Sequence, residues 1–302
     1  MSSKGLRVLV PMGMAADVEV AAGVIGFPIA HSLSPVICQV AFDEMGLDYT
    51  YAAFEVPPGQ ANQALGEVRR QNMLGLSVTM PHKADAAMAV DELSPAAQML
   101  GVVNCVSRQG TCLLGHNTDG AGFCDALEAE GVELAGRRCA VLGAGGAGRA
   151  VVAELARRQV VEVAVIARRA ASAKSAAELA GAVGTTADLT AVGQYDLLVN
   201  ATPVGMAETP DAGRLPLDPD LLHSAQHVAE LVYNPLQTPL LAECAYREVP
   251  FSTGVGMLVH QAAHALRIWT GSEPNLVVML TAAHAELARR HNDQASLRSA
   301  KS

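Results

Sequence analysis

No C-x-x-C pair occurs among the six cysteines of this sequence; Cys38, Cys105, Cys112, Cys124, Cys139 and Cys244 lie far apart. That spacing excludes the paired-thiol redox and zinc motifs, and several of the six fall in apolar runs where a thiol simply packs, so a reducing cytoplasm is the expected compartment. An excess of basic charge is also lacking. Lys and Arg number 21 against 30 Asp and Glu, a formal net charge of −9 with the two signs interspersed. Such a surface offers no broad attraction to nucleic acid or to an anionic membrane. No apolar run approaches the roughly 18 residues that cross a bilayer, and there is no internal repeat or low-complexity tract beyond a polar tail after Asn292. Lys4 and Arg7 ahead of VLVPMGMAA faintly resemble a short export signal, but Pro11 and Gly13 interrupt it, and an N-terminal extension is the better reading.

What remains is a chain of 302 residues, half of them hydrophobic, which is enough for two buried cores. From Val20 onward, short β-rich runs alternate with alanine-rich helical stretches, the pattern of an α/β protein. The first half predicts strands at VAAGVIG, YTYAAFEV, LGLSVT and GVVNCVS. Helices are expected from about Pro35 to Met45, from Gln60 to Arg70, and opening at Pro81. The second half opens after HNTDG with the helix AGFCDALEAEG. It continues through RRCAVL, a glycine turn, RAVVAELARR, EVAVIARR and YDLLVNATPVG, the order of a Rossmann-type mononucleotide-binding half-fold. A strand near HVAELVY and a helix near TPLLAECAYR follow. Two final helices, GVGMLVHQAAHALRIWTG and NLVVMLTAAHAELARR, have no strands of their own and are expected to return to the first domain.

The strand CAVL runs straight into Gly143, Ala144, Gly145, Gly146, Ala147 and Gly148, and a helix follows at once. In that context Gly143 permits the tight turn, Gly145 lets the backbone approach a pyrophosphate, and Gly148 allows close helix packing, with free N–H groups facing the anion. About 20 residues on, an NAD site usually carries Asp or Glu. Here Ala167 offers no carboxylate, and Arg168 and Arg169 are placed to clamp a 2′-phosphate, so NADP is the expected cofactor.

Polar clusters mark the strand ends of the first half: HSLSP, SVTMPHK, VVNC and HNTDG. Ser32 and Ser34 immediately precede the helix that Pro35 marks. One of them is enough for an N-cap, so the pair suggests a carboxylate site. With Pro81 as first helical residue, Lys83 lies in the first turn, where a cation costs about 0.3–1 kcal/mol against the dipole. That cost suggests a proton-exchanging use, against the commoner solvated lysine. Asp119, just before a helix, is either a cap or a carboxylate that holds Lys83. The pairs His260/His264 and His223/His227 have a spacing that metal ligands adopt on a helix, but no third ligand completes a site, and no metal is expected.

Taken together, GFPIAHSLSP, GLSVTMPHK, GVVNC, GHNTDGAGF, VLGAGGAGRA, VNATPVGM, LVYNPLQTPLL and GVGMLVHQAAHALRIWTG resemble the shikimate dehydrogenase family from about Val24 to Gly271. The resemblance implies NADPH-dependent reduction of 3-dehydroshikimate to shikimate, by a substrate domain built from both chain ends around a cofactor domain. It implies residues 1–118 with 255–302 for the first and 119–254 for the second. By motif it assigns Ser32, Ser34, Ser77, Thr79, Lys83, Asn104, Asp119, Tyr233 and Gln261 to substrate, with Lys83 and Asp119 catalytic. To the cofactor it assigns residues 143–148, Ala167, Arg168, Arg169, Thr202, Leu231 and Gly254. Many members carry Asn at the place of Ser77, where a serine resembles the plant-type dehydroquinase-fused enzymes instead, and Phe27 and Ala167 also replace a common Asn. The rival readings are quinate or aminoshikimate oxidation on the same fold, a methylene-tetrahydrofolate dehydrogenase, and a non-catalytic NADP-binding sensor. A monomer or homodimer is expected.

Overall fold

Apolar runs too short to be helices become the strands of two separate sheets. The computed structural model describes residues 8–9, 20–207, 209–224 and 226–299, side chains of 8–9 and 294–299 excepted. The chain divides into two units, residues 1–118 with 262–286 and residues 119–261 with 287–302. The expected export-like stretch lies outside the described residues except for Val8–Leu9.

In the first unit the strands are β1 (Val8–Leu9), β2 (Val20–Gly26), β3 (Thr50–Glu55), β4 (Gly75–Val78), β5 (Glu92–Leu93), β6 (Cys105–Gln109) and β7 (Cys112–His116). They lie in the order β1-β3-β2-β4-β6-β7-β5. β2 is parallel to both β3 and β4, reached through α1 (Ser34–Glu44) and α2 (Ala61–Arg70), whereas β6 runs antiparallel to β4 and to β7. Ile25, Phe54, Leu76, Val78 and Val106 pack one face of the sheet onto Ala64, Leu65 and Val68 of α2. On the other face Tyr51 lies 6.2 Å from Trp269, centroid to centroid, and the indole N–H donates to the Val106 carbonyl at 3.0 Å. Trp269 lies in residues 262–286, the second of the two sequence segments of this unit.

Three sequence expectations shift here. The strand over GVVNCVS begins only at Cys105, because Gly101 closes α4 (Pro95–Leu100) in the left-handed region at φ 68° and Val103 N–H turns to the Lys83 carbonyl. β7 was not expected at all. It forms a hairpin with β6 across Gly110–Thr111, and Gly110 supplies the positive φ of 61° that such a two-residue turn demands. The helix expected to open at Pro81 is α3 (Lys83–Ala89). Pro81 sits instead inside a turn closed by His82 N–H to the Thr79 carbonyl, and helical bonds start with Ala86 N–H to His82.

The second unit holds β8 (Arg138–Leu142), β9 (Glu162–Ile166), β10 (Gly184–Thr186), β11 (Leu197–Asn200), β12 (His227–Glu230) and β13 (Phe251–Ser252), all parallel, in the order β10-β9-β8-β11-β12-β13. Such strands are covered on both faces, which is why they read as continuous apolar runs. Cys139 and Val141, Val163 and Val165, Leu197 and Val199 face one core. The intervening Ala140, Leu142, Ala164 and Leu198 face the other. Around this sheet lie α5 (Asp119–Ala129), α6 (Gly146–Arg157), α7 (Ala170–Ala177) and α8 (Pro239–Tyr246). The chain then continues through α9 (Gly254–Thr270) and α10 (Leu276–Ser299). Strand order reverses between β8 and β11, the place where parallel sheets open a crevice at their carboxyl ends. Among the described residues no helix is long and apolar enough to cross a membrane.

Candidate active site

Four of the polar motifs gather at one edge of the first sheet. Thr79 N–H donates to the Ile25 carbonyl at 3.0 Å and Phe27 N–H to the Met80 carbonyl at 3.0 Å, so the exits of β2 and β4 lie side by side. Val78 N–H donates to the Asn104 carbonyl at 2.7 Å, and Val103 N–H to the Lys83 carbonyl at 2.9 Å. Thr79, Lys83 and Asn104 thus share one neighbourhood, and the loop leaving β2, which touches it through Phe27, goes on to Ser32 and Ser34 at the opening of α1. At Gly26 a Cβ would lie 2.6 Å from the Thr79 methyl and 2.7 Å from the Ile29 Cδ1, so the absence of a side chain there lets Thr79 and Ile29 pack against the β2 exit.

Neither serine is the N-cap of α1. Leu33 occupies that position, Ser34 is the first helical residue, and the Ser32 hydroxyl accepts from Ser34 N–H at 3.2 Å. Lys83 is the first residue of α3 and is half-buried. Asn104 is buried and bonds Thr118 twice, donating to its hydroxyl and accepting its N–H. Asp119 follows as the first residue of α5 and is buried. Ser77 is buried beside Leu76 in β4.

The remaining two substrate candidates belong to the second unit. Burial pushes the Tyr233 phenol pKa up while Arg290 acts against the rise, so the hydroxyl is a neutral donor at physiological pH. Gln261 sits on α9, its amide donating to the Leu258 carbonyl at 2.7 Å and its backbone so close to α5 that a Cβ at Gly122 would be 2.5 Å from its nitrogen.

The cofactor candidates line the carboxyl edge of the second sheet. Gly143 follows β8 at φ 103°, and a side chain there would meet the Ala201 carbonyl at 2.9 Å and the Thr202 methyl at 3.1 Å. At Gly148 a Cβ would stand 2.2 Å from the Gly143 oxygen. Those two glycines are required by the protein itself. Gly145 and Gly146 are not: a Cβ at either meets no protein atom within 4 Å, and Gly145 has an ordinary φ of −78°. Their bareness leaves the start of α6 open to an external group, and the backbone N–H groups there suit a pyrophosphate. Ala144 and Ala147 complete the loop. Ala167 ends the β9 exit, and Arg168 and Arg169 after it are exposed, with Arg169 at the cap position of α7. Thr202 follows β11, Leu231 follows β12, and a Cβ at Gly254 would be 2.5 Å from the Leu231 carbonyl oxygen. The residues present therefore fit a dinucleotide laid across the strand-order reversal.

The histidine pairs engage the protein. His264 bonds Arg267 at 2.8 Å, His223 the Gly193 carbonyl at 2.6 Å, and His227 the Ser252 hydroxyl at 2.8 Å. His223 and His227 do not share a helix, since His227 starts β12.

The segment 24–106 matches the family model of the shikimate dehydrogenase substrate binding domain, and 254–284 matches that of the shikimate 5′-dehydrogenase C-terminal domain. The shikimate dehydrogenase (NADP(+)) of Geobacter metallireducens is 41% identical over 279 residues, 88% of this chain and 96% of that one. This chain belongs to the shikimate dehydrogenase family. Among solved family structures, the Thermus thermophilus enzyme in complex with NADP(H) and shikimate superposes with a TM-score of 0.83 at 38% identity, over 88% of this chain and 99% of that one. The quinate dehydrogenase of Corynebacterium glutamicum in complex with NAD also superposes, with a TM-score of 0.79 at 29% identity, over 88% of this chain and 99% of that one. Enzymes named for shikimate and for quinate thus share this fold, so the fold alone does not choose between the two.

Two residues, one inside the SVTMPHK motif and one immediately before LVYNP, were not singled out from the sequence. His82 is completely buried and its Nε2 donates to the Val56 carbonyl at 2.7 Å, tying the turn that carries Lys83 to the exit of β3. Glu230, in ELVYNP, is buried at the end of β12. Both look like ordinary surface polar residues until the burial is known.

Proposed function

We propose that this protein catalyses the reversible NADPH-dependent reduction of 3-dehydroshikimate to shikimate in the cytoplasm, in the pathway to chorismate and the aromatic amino acids. What supports the reading is that backbone bonds bring Thr79, Lys83 and Asn104 together at the carboxyl end of the first sheet, while Ser32 and Ser34 stand where α1 opens after the β2 exit. A single carboxylated polyol needs that mixture of hydroxyl, amide and ammonium donors.

In this account residues 1–118 and 255–302 form the substrate-binding domain and residues 119–254 the dinucleotide-binding domain. Ser32, Ser34, Thr79 and Tyr233 bind the substrate carboxylate and fix the ring's orientation, and Ser77 also contacts the substrate. Asn104, Asp119 and Gln261 bind its hydroxyls. Lys83 holds and returns the proton of the hydroxyl on the reacting carbon, and the Asp119 carboxylate keeps the ammonium in place. Residues 143–148 hold the pyrophosphate, Arg168 and Arg169 the 2′-phosphate, and Ala167, Thr202, Leu231 and Gly254 line the rest of the cofactor's bed. NADP(H), when bound, supplies the hydride chemistry.

The reading is tested by incubating the purified protein with 3-dehydroshikimate and NADPH and identifying the product by chromatography. Shikimate formed mole for mole with NADPH consumed supports it. Absence of turnover in both directions refutes it and favours a binding protein.

A further inference from the structure

Glu230 ends β12 directly across from Asn200, which ends β11. The Glu230 carboxylate is only 2% exposed and its partners are neutral donors. Val232 N–H donates to one oxygen at 3.0 Å, the Thr238 hydroxyl to the other at 3.1 Å, and the Asn200 amide to both at 3.0 Å. Asn200 is completely buried, and its carbonyl oxygen accepts from Thr202 twice, from N–H at 3.1 Å and from the hydroxyl at 2.7 Å. One carboxylate therefore holds the chain leaving β12, and through one amide it also holds the chain leaving β11.

A buried carboxyl is expensive unless its position matters, because an apolar residue would pack at less cost. The places it fixes are the ones a dinucleotide uses. The pyrophosphate loop follows β8 and the two arginines follow β9, so the other half of the cofactor must extend over the exits of β11 and β12. We propose that Glu230 is a positioning residue which, through Asn200, sets Thr202 and the segment from Leu231 to Tyr233 to receive the nicotinamide half of the cofactor. This rests on the dinucleotide reading above.

Burial raises the Glu230 pKa to about 7. The titratable neighbour on α8 is the Cys244 thiol, itself pushed up to about 12, so it stays neutral and does not compete. The carboxyl is thus divided between two forms near neutral pH. As an anion it accepts all of the bonds described; with a proton on one oxygen, that oxygen becomes a donor and an accepted bond must give way. Positioning by this group consequently varies with pH in a way that an uncharged isostere removes.

The test uses the wild-type chain with Glu230→Gln and Glu230→Asp. Hydrogen exchange is measured on the cofactor-free proteins, and NADP and NAD binding by calorimetry from pH 5.5 to 8.5. Glu230→Asp is one methylene too short to reach Val232 and Asn200 together. It should speed exchange in residues 200–206 and 230–238 in concert, with the β8 and β9 peptides unchanged, and weaken NADP binding about tenfold at pH 8. Glu230→Gln should bind NADP within about threefold of wild type, and should bind NAD, which carries no titrating 2′-phosphate, without the wild type's change in affinity near pH 7. Variants with wild-type dissociation constants and wild-type pH dependence, changed only in melting temperature, would overturn the inference. A wild-type protein that binds neither dinucleotide overturns the dinucleotide reading and this inference together; intact wild-type binding with unaffected variants overturns the inference alone.

Discussion

Asn104 and Thr118 bond each other in both directions, amide to hydroxyl at 2.9 Å and backbone N–H to amide oxygen at 2.8 Å. The pair ties the start of β6 to the turn that delivers Asp119, so Asn104 does structural work in addition to the substrate contact proposed for it. Asn104→Ala should therefore act twice. Loss of the two bonds should destabilise the protein by about 1–3 kcal/mol, and the KM for shikimate should rise at least about tenfold. Denaturant melts and steady-state kinetics on the same preparation separate the two effects. An unchanged KM would confine Asn104 to the structural part.

Lys83→Met keeps much of the aliphatic stem at the first turn of α3 and removes the exchangeable proton. Turnover should fall about 10²- to 10⁴-fold, while NADP binding measured by calorimetry stays at the wild-type value. Near-normal turnover would remove Lys83 from the acid–base role.

The four loop glycines should split into two classes. Gly148→Ala places a Cβ 2.2 Å from the Gly143 oxygen, so it should cost stability, on the order of 1–3 kcal/mol. Gly145→Ala meets nothing in the protein, so the melting temperature should hold while NADP binding weakens by about tenfold or more. Equal affinity in Gly145→Ala and wild type would mean that no pyrophosphate approaches that backbone.

The exposed pair Arg168 and Arg169 should decide between the two dinucleotides. Replacing both with Ala should raise the NADP dissociation constant by about 30-fold or more, since each charge-assisted bond is worth about 1.5–3 kcal/mol. NAD binding should change little. A parallel loss for both cofactors would place the arginines elsewhere than on the 2′-phosphate.

Stability should also carry the signature of Glu230. Its carboxyl keeps its proton in the folded state up to about pH 7 against an ordinary 4.5, so the native state binds more protons than the unfolded chain between those values. The stabilisation is complete below about 4.5 and is lost as pH rises through about 7, a total of about 3 kcal/mol. Glu230→Gln should flatten this part of the stability curve. The difference between variant and wild type in urea melts at pH 5 and pH 8 measures it directly.

Most of the second unit could be read in advance, since CAVL followed by a glycine turn and an alanine-rich helix has few other uses, and β8, α6 and β9 fall on it. The short edge strands β10 and β13 were not legible: three and two residues carry no periodicity. In the first unit the motifs were legible as clusters but not as turns. Pro81 satisfies a helix-start rule equally well inside a turn, and Gly110 marks a hairpin only once TCLLGH is known to pair. The bonds of His82 and Glu230 were beyond reach for another reason. Their partners lie in distant segments or depend on burial, and a polar residue's burial is set by the whole fold rather than by its neighbours in sequence.

The account is tested most directly by initial rates at the reduced-nicotinamide absorbance band, with shikimate and quinate each offered with NADP and with NAD. It predicts the highest kcat/KM for shikimate with NADP, lost in Lys83→Met. Activity confined to quinate with NAD would contradict it.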